Sequence, residues 1–374
     1  MPERLKLALV GAGHMGKFHA QAIAERKDVE FVAVCDVDPA RAAAVAGTSG
    51  ARVETDVRRI AGQVDAAVIA AATSVHREVA LALMEKGAAV LIEKPTAATA
   101  AEARLIADAA RRAGVVAQAG HILRFDPVTR AAAPVLSVRA PGGTATLLRG
   151  RGLSAGRQVS LGGNSHGHAT AQPASTAGRA GCGRATPRPA FMEISWAAPF
   201  SFRSLDVGVV MDVLIHGIDI ALYLAGEMPQ RVDAVGGVVV GPHEDFVSVR
   251  LAFPGGCIAN LTASRMSRAR QRIVRIFSEG AYLKLDYGAR AAEVVTARPG
   301  LAEVVRSGKP PAGGMDDLIT VEKLPVESRP DALRAQLASF IEAVRGEHPV
   351  AVTLDDGARA VEVAERIMKA VSEG

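Results

Sequence analysis

Six residues do most to limit the folds open to this chain. Gly11-Ala12-Gly13-His14-Met15-Gly16 stands between the apolar run Leu5-Lys6-Leu7-Ala8-Leu9-Val10 and a helical pattern from Lys17 to Glu25. Strand, G-x-G-x-x-G, helix is the context in which this motif predicts a dinucleotide turn. Gly11 permits the tight turn, Gly13 lets the backbone approach a pyrophosphate, and Gly16 lets helix and strand pack closely. The helix N-terminus, with His14 and Met15 in the motif, offers unpaired N–H groups to phosphates. The next strand, Phe31 to Cys35, ends at Asp36, twenty residues past Gly16. A carboxylate there accepts ribose hydroxyls and repels a 2′-phosphate. Val37 follows, where an NADP site would carry Arg or Ser, so NAD is the cofactor expected.

Short apolar strands then alternate with helical stretches. Ala66–Ala70 leads to Thr73-Ser74-Val75-His76 and a helix, Ala88–Ile92 ends in Glu93-Lys94-Pro95, and Val115–Ala119 follows an Ala- and Arg-rich helix. This alternation predicts an α/β fold with a doubly wound parallel sheet. Ligands bind beyond the carboxyl ends of such strands, which is where Thr73, His76, Glu93 and Lys94 fall. Gly120-His121-Ile122-Leu123-Arg124-Phe125-Asp126 leaves the sheet at the same edge.

A second concentration of chemistry lies in Val207 to Asp219. Read as a helix, Asp212, His216 and Asp219 sit at i, i+4 and i+7 and share one face of an otherwise apolar ridge. Burying charge there requires pairing or a cavity. The plainer alternative is a capping Asp and a satisfied core histidine.

At 374 residues the chain is long enough for two domains. It contains no apolar run near the ~20 residues of a membrane span. Its three widely spaced cysteines support neither a disulfide framework nor a zinc site, so a reduced cytoplasm is expected. The net charge of +5 has one source. Residues 137–190 hold seven of the 44 basic residues, all arginine, and no acidic residue; the remaining 37 face 39 acidic residues. A nucleic-acid surface is therefore not expected. That segment, rich in Gly, Ala, Ser and Thr, has no periodicity and reads as a basic low-complexity insert or a shifted reading frame. Its His166 and His168 lack neighbouring acids or thiols, and no metal is expected.

The glycine turn, Glu93-Lys94-Pro95, the G-H-x-x-R-F segment and D-x-x-x-H-x-x-D together resemble the Gfo/Idh/MocA oxidoreductases. Residues 198–219 and 256–265 are similar to the nucleotide-sugar branch of that family. The resemblance implies a Rossmann domain, residues 1–122, and an α/β domain, 123–374, with a large, open, mostly antiparallel sheet. Strand-like runs at 191–196, 231–240, 246–253, 257–263, 272–277, 281–287 and 293–296 agree, as do helices at 331–345 and 355–371. It also implies a homodimer or homotetramer that pairs through the sheet's open face, and a late helix packed back on the first domain.

In function, the resemblance implies an NAD-dependent dehydrogenase acting on a secondary hydroxyl of a sugar, the 3-OH of a UDP-N-acetyl-hexosamine. A free-sugar or inositol dehydrogenase and a non-catalytic NAD(P)-binding regulator are the alternatives. Lys94 would polarise the oxygen and His216 complete the proton transfer, with Asp212 orienting the imidazole. Arg124, Asp126, Asp212 and His216 would face the substrate. Three positions depart from the family pattern: Asp126 replaces Asn, Gly217 replaces Asp, and Trp196 stands where the branch carries a basic residue.

Overall fold

The computed structural model describes residues 4–136, 188–200, 207–309 and 313–373. All but the last three residues of the 137–190 segment, His166 and His168 included, lie outside them.

Six strands form the first sheet: β1 (Leu5–Val10), β2 (Val29–Cys35), β3 (Arg52–Glu54), β4 (Ala66–Ile69), β5 (Ala89–Glu93) and β6 (Ala117–Gly120). They are all parallel, in the order β3-β2-β1-β4-β5-β6. The order in which strands are added reverses between β1 and β4, the switch point where such sheets bind dinucleotides. Helices α1 (His14–Ala24), α2 (Pro39–Ala46), α3 (His76–Met84) and α4 (Ala100–Ala113) connect these strands. Covered on both faces, the strands are continuously apolar. Leu7, Leu9, Val68 and Leu91 pack on one side, and Ala8, Val10, Ile69 and Ile92 on the other.

After α5 (Pro127–Ala132) comes the second sheet: β7 (Phe191–Ala197), β8 (Arg231–Gly237), β9 (Phe246–Ala252), β10 (Ile258–Ser264), β11 (Gln271–Ser278), β12 (Ala281–Asp286), β13 (Ala291–Ala297) and β14 (Ile319–Leu324). Its order is β14-β13-β12-β11-β7-β10-β9-β8, antiparallel except where β7 meets β10. Here burial alternates. On β9, Val247, Val249 and Leu251 are buried while Phe246, Ser248 and Arg250 are exposed, the signature of a sheet covered on one face. Helix α6 (Ile215–Ala225) lies on the covered face, and α7 (Leu301–Ser307) precedes β14.

The last two helices join the sheets. Leu337, Phe340 and Ile341 of α8 (Ala332–Val344) pack with Leu7 and Leu9 of the first sheet. From α9 (Leu354–Glu373), Leu354 and Ala358 enter the first sheet's core, whereas Val361, Ala364 and Ile367 enter the second's. The site described next lies in the seam that these helices close.

Candidate active site

The glycine turn has the geometry that a dinucleotide requires. Gly11 has φ +101° and its N–H donates to Cys35 O at 2.8 Å. A Cβ on Gly11 would lie 2.4 Å from the Ala70 carbonyl carbon, and one on Gly16 would lie 2.0 Å from Gly11 O. Nothing lies within 4 Å of a Cβ built on Gly13. Two glycines are therefore needed for packing, and the third leaves space. Helix α1 starts at His14, inside the motif, with Gly13 as N-cap, no capping side chain and no acid in its first turn. Its amino end is left for an anion. The His14 ring stands edge-on to Phe18 at 5.0 Å, and Met15 packs beneath into the core.

Asp36 is fixed before any ligand arrives. One carboxylate oxygen accepts from Ala12 N at 2.7 Å, the other from Asp38 N at 2.9 Å and the Arg41 guanidinium at 3.0 Å. Burial pushes its pKa up, but these donors together hold it below the ordinary range. Thr73 opens the turn after β4, half-buried. His76 is buried, its Nδ1 3.0 Å from Pro95 O and its Nε2 3.1 Å from Ala71 O. Burial keeps its pKa low, so the neutral ring donates to one carbonyl at a time and braces the ends of β4 and β5. These groups fit NAD: an open glycine, an uncapped helix and a placed carboxylate.

Glu93, at the end of β5, is buried and accepts from His19 Nε2 at 2.7 Å. Its other oxygen accepts Lys94 N at 3.2 Å. Burial raises its pKa, and His19 with the Lys94 charge brings it below the usual value. Lys94 then crosses the seam between the sheets. Its ammonium donates to the Asp212 main-chain oxygen at 2.7 Å and to Asp212 Oδ1 at 3.3 Å.

Asp212 does not occupy the regular helix expected from its spacing. Val210–Leu214 forms a π-helical turn ahead of α6, a feature frequent at functional sites. The expected ridge is divided as a result. Asp212 meets Lys94 rather than orienting His216. Asp219 turns inward, where Arg124 donates to it at 2.6, 3.0 and 3.1 Å. His216 remains half-buried with its Nδ1 unpartnered among the described residues. Burial first, then Lys94, Arg272 and His121, hold its pKa well below the ordinary 6.5.

Two residues expected at the substrate have structural duties. Arg124, nearly buried, pairs with Asp219, approaches Asp356 at 3.6 Å and lies over the Tyr223 ring at 4.6 Å. Its charge is therefore neutralised inside the protein. Asp126 caps α5 by accepting Val128 N at 2.8 Å, and burial raises its pKa. Sequence reasoning missed His19 as the partner of Glu93 and Arg272 beside His216. Gly217 also finds its reason here: a Cβ on it would lie 2.3 Å from Trp196 Nε1. The buried indole takes the volume that a side chain at 217 would need.

The family comparisons agree with this architecture. Residues 5–121 match the model described as an oxidoreductase family with an NAD-binding Rossmann fold, and 183–283 match the GFO/IDH/MocA C-terminal domain. The UDP-N-acetylglucosamine 3-dehydrogenase of Acidithiobacillus ferrooxidans is 29% identical over 98% of this chain and 97% of its own. The inositol 2-dehydrogenase of Rhizobium meliloti is 26% identical over 99% of this chain and 97% of its own. A solved structure of the Acidithiobacillus ferrooxidans enzyme superposes with a TM-score of 0.77 at 27% identity, covering 99% of this chain and 98% of that one. With its cofactor turn and both halves matched, the chain belongs to the Gfo/Idh/MocA family of NAD-binding oxidoreductases.

Proposed function

We propose that the protein is an NAD-dependent sugar dehydrogenase that oxidises the 3-hydroxyl of a UDP-N-acetyl-hexosamine. The observation that carries this reading is the reach of Lys94 from the end of β5 to Asp212 in the π turn, with His216 one element away. The full-length likeness to a UDP-N-acetylglucosamine 3-dehydrogenase supports the substrate class. The inositol 2-dehydrogenase likeness keeps a free cyclitol as the second reading.

When bound, the nicotinamide ring supplies a hydride acceptor for the carbinol carbon. Gly11, Gly13, His14, Met15, Gly16, Asp36, Thr73, His76, Glu93 and Lys94 are assigned to the cofactor side. An ammonium has three N–H donors. Two of those on Lys94 are directed at Asp212, and the third is free to polarise the substrate hydroxyl. His216, held neutral, has a ring lone pair to receive the hydroxyl proton. Asp212 keeps Lys94 extended, and Asp126 lies at the rim. Arg124 acts at a distance by holding α6 to the turn after β6.

We assign residues 1–122 to cofactor binding and 123–374 to substrate binding and assembly. A homodimer or homotetramer would pair through the uncovered face of the second sheet, where Phe277 packs with Phe191 at 5.7 Å and Tyr282 at 5.0 Å. The test is cofactor reduction by the purified protein over a panel of UDP-sugars, free sugars and inositols. Lys94→Ala and His216→Ala should each lower kcat by ~10² or more, and NAD binding should persist in the His216 variant. Near-normal turnover in both variants would exclude this mechanism. Turnover of inositols alone would replace the substrate.

A further inference from the structure

From Phe246 to Ser278 the chain contains six arginines and neither Asp nor Glu. Three of the six have partners. Arg265 pairs with Asp245 at 2.5 Å, Arg275 with Glu193 at 2.9 Å, and Arg250 donates to Asn260 at 3.2 Å. Arg268, Arg270 and Arg272 recur at every second position into β11, with no ion pair or side-chain hydrogen bond among the described residues.

Strand parity fixes the side on which Arg272 lies. Val274 and Ile276 of β11 are buried on the face that carries α6, and Arg272 shares their parity at the strand's outer end. Its register partner on β7 is Trp196, the indole that covers Gly217, next to His216. The charges that act on Arg272 come from separate elements: Asp126 at α5 and Asp212 in the π turn, with His216 of α6 feeling Arg272 in return. Arg272 thus lies exposed on the α6 side of the second sheet, at the strand end nearest Trp196, Gly217 and His216.

Its guanidinium has no ion pair among the described residues. Arg272 is exposed at the strand end; what burial it has and the neighbouring Arg270 disfavour its charge, with Asp126 and Asp212 offsetting them in part. An exposed guanidinium with no ion pair among the described residues has its planar fork open to an anion. A substrate that brings its own anion can fill that fork, whereas a neutral sugar or cyclitol cannot.

We propose that Arg272, with Arg270 behind it, receives the diphosphate of a nucleotide sugar, so that the enzyme selects nucleotide-linked over free substrates. The inference rests on the dehydrogenase reading above and names what sets its substrate class. The planar guanidinium fork matches phosphate oxygens in pairs. With the diphosphate held there, the sugar ring extends toward Lys94 and His216.

The test uses NAD-loaded full-length protein, with UDP, UMP and inorganic pyrophosphate as calorimetric probes and UDP-N-acetylglucosamine as substrate. UDP should bind more tightly than UMP. Arg272→Gln should weaken UDP by about tenfold or more, equivalent to about 1.4 kcal/mol, and leave NAD affinity unchanged. Arg272→Lys retains charge without the fork and should lose less. In turnover, Arg272→Gln should raise KM by about the same factor, with kcat changed much less, the pattern of lost ground-state binding. Arg250→Gln, on the sheet's uncovered face, is the control for removing an arginine. Melting temperatures identify a variant that fails to fold, and Arg270→Gln then carries the test. If UDP-sugars are oxidised with unchanged KM in an Arg270→Gln, Arg272→Gln double variant, the anion site is wrong and the dehydrogenase reading stands. If UDP binds through Arg272 but no UDP-sugar is oxidised, the anion site stands and the reaction is wrong. Pyrophosphate binding equal to UDP, undiminished in the variant, would mean adventitious anion binding and overturn the proposal.

Discussion

In the proposed mechanism His216 is the base, and its surroundings prepare it for that role. Burial, Lys94, Arg272 and His121 all oppose its protonation, so its folded pKa lies well below 6.5. A depressed pKa means that the unfolded chain takes up the proton first as pH falls. The stability contributed by the neutral ring is complete above about pH 6.5; it is lost as pH drops through the lower folded value. We predict that kcat/KM stays level as pH falls through about 6.5, with its acid limb well below. Removing the Arg272 charge should move that limb upward. A wild-type limb centred on the ordinary imidazole value would contradict this picture. At this scale much was legible in the sequence. Gly11, Gly13, Gly16 and Asp36 were placed by spacing alone, and Lys94 and His216 by their position in motifs. Pair identities were not legible. Spacing marked Asp212 and Asp219 as polar on an apolar helix, but not that one meets Lys94 and the other Arg124.

Among elements, the bond between α1 and β5 has the clearest consequence. His19 and Glu93 are 74 positions apart and bond at 2.7 Å, with the His19 side chain fully buried. The helix that presents N–H groups to phosphate is thereby fastened to the strand end that presents Lys94. His19→Ala would leave a buried carboxylate without its partner and should destabilise the fold by about 3 kcal/mol. His19→Gln, which retains a donor, should recover much of that loss. Thermal unfolding with and without NAD measures both, and an unchanged midpoint in His19→Ala would show that the bond does not couple these elements. No local pattern signals this bond, because its halves belong to different periodic segments. The same limit hid β14. Its residues are largely exposed, so an edge strand shows no alternation to read. The π turn was missed because apolar spacing fits either helix type over one turn.

At the scale of the whole molecule, α8 and α9 make the two sheets one body, so the boundary at residue 122 divides the chain more cleanly than it divides the packing. No helix among the described residues is long and apolar enough to cross a membrane. The segment 137–190 lies almost wholly outside those residues, and its composition alone supports a prediction. Seven arginines without a single acid cannot pair within it, and eleven glycines raise the entropy lost on ordering it. Replacing 138–188 with a short Gly/Ser linker should preserve folding, NAD binding and turnover. Loss of NAD-dependent thermal stabilisation in the shortened protein would show the segment to be structural.

The close approach of Trp196 and Gly217 limits the sequence changes open to this site. Any side chain at 217 collides with the indole, so substitution there is blocked while Trp196 stands. Trimming Trp196 first opens a void beside Tyr287, whose ring lies 5.5 Å away, and a Trp-to-Ala change of this kind costs about 3–5 kcal/mol. The two positions should therefore be coupled in stability: each single change is expected to destabilise, and trimming Trp196 should lessen the cost of a side chain at 217, leaving the contact with Ile194 at 2.9 Å. A charge introduced at 217, beside His216, therefore requires a change at 196 as well. The order in which 196 and 217 change then decides the unfolding cost at each step of placing such a charge.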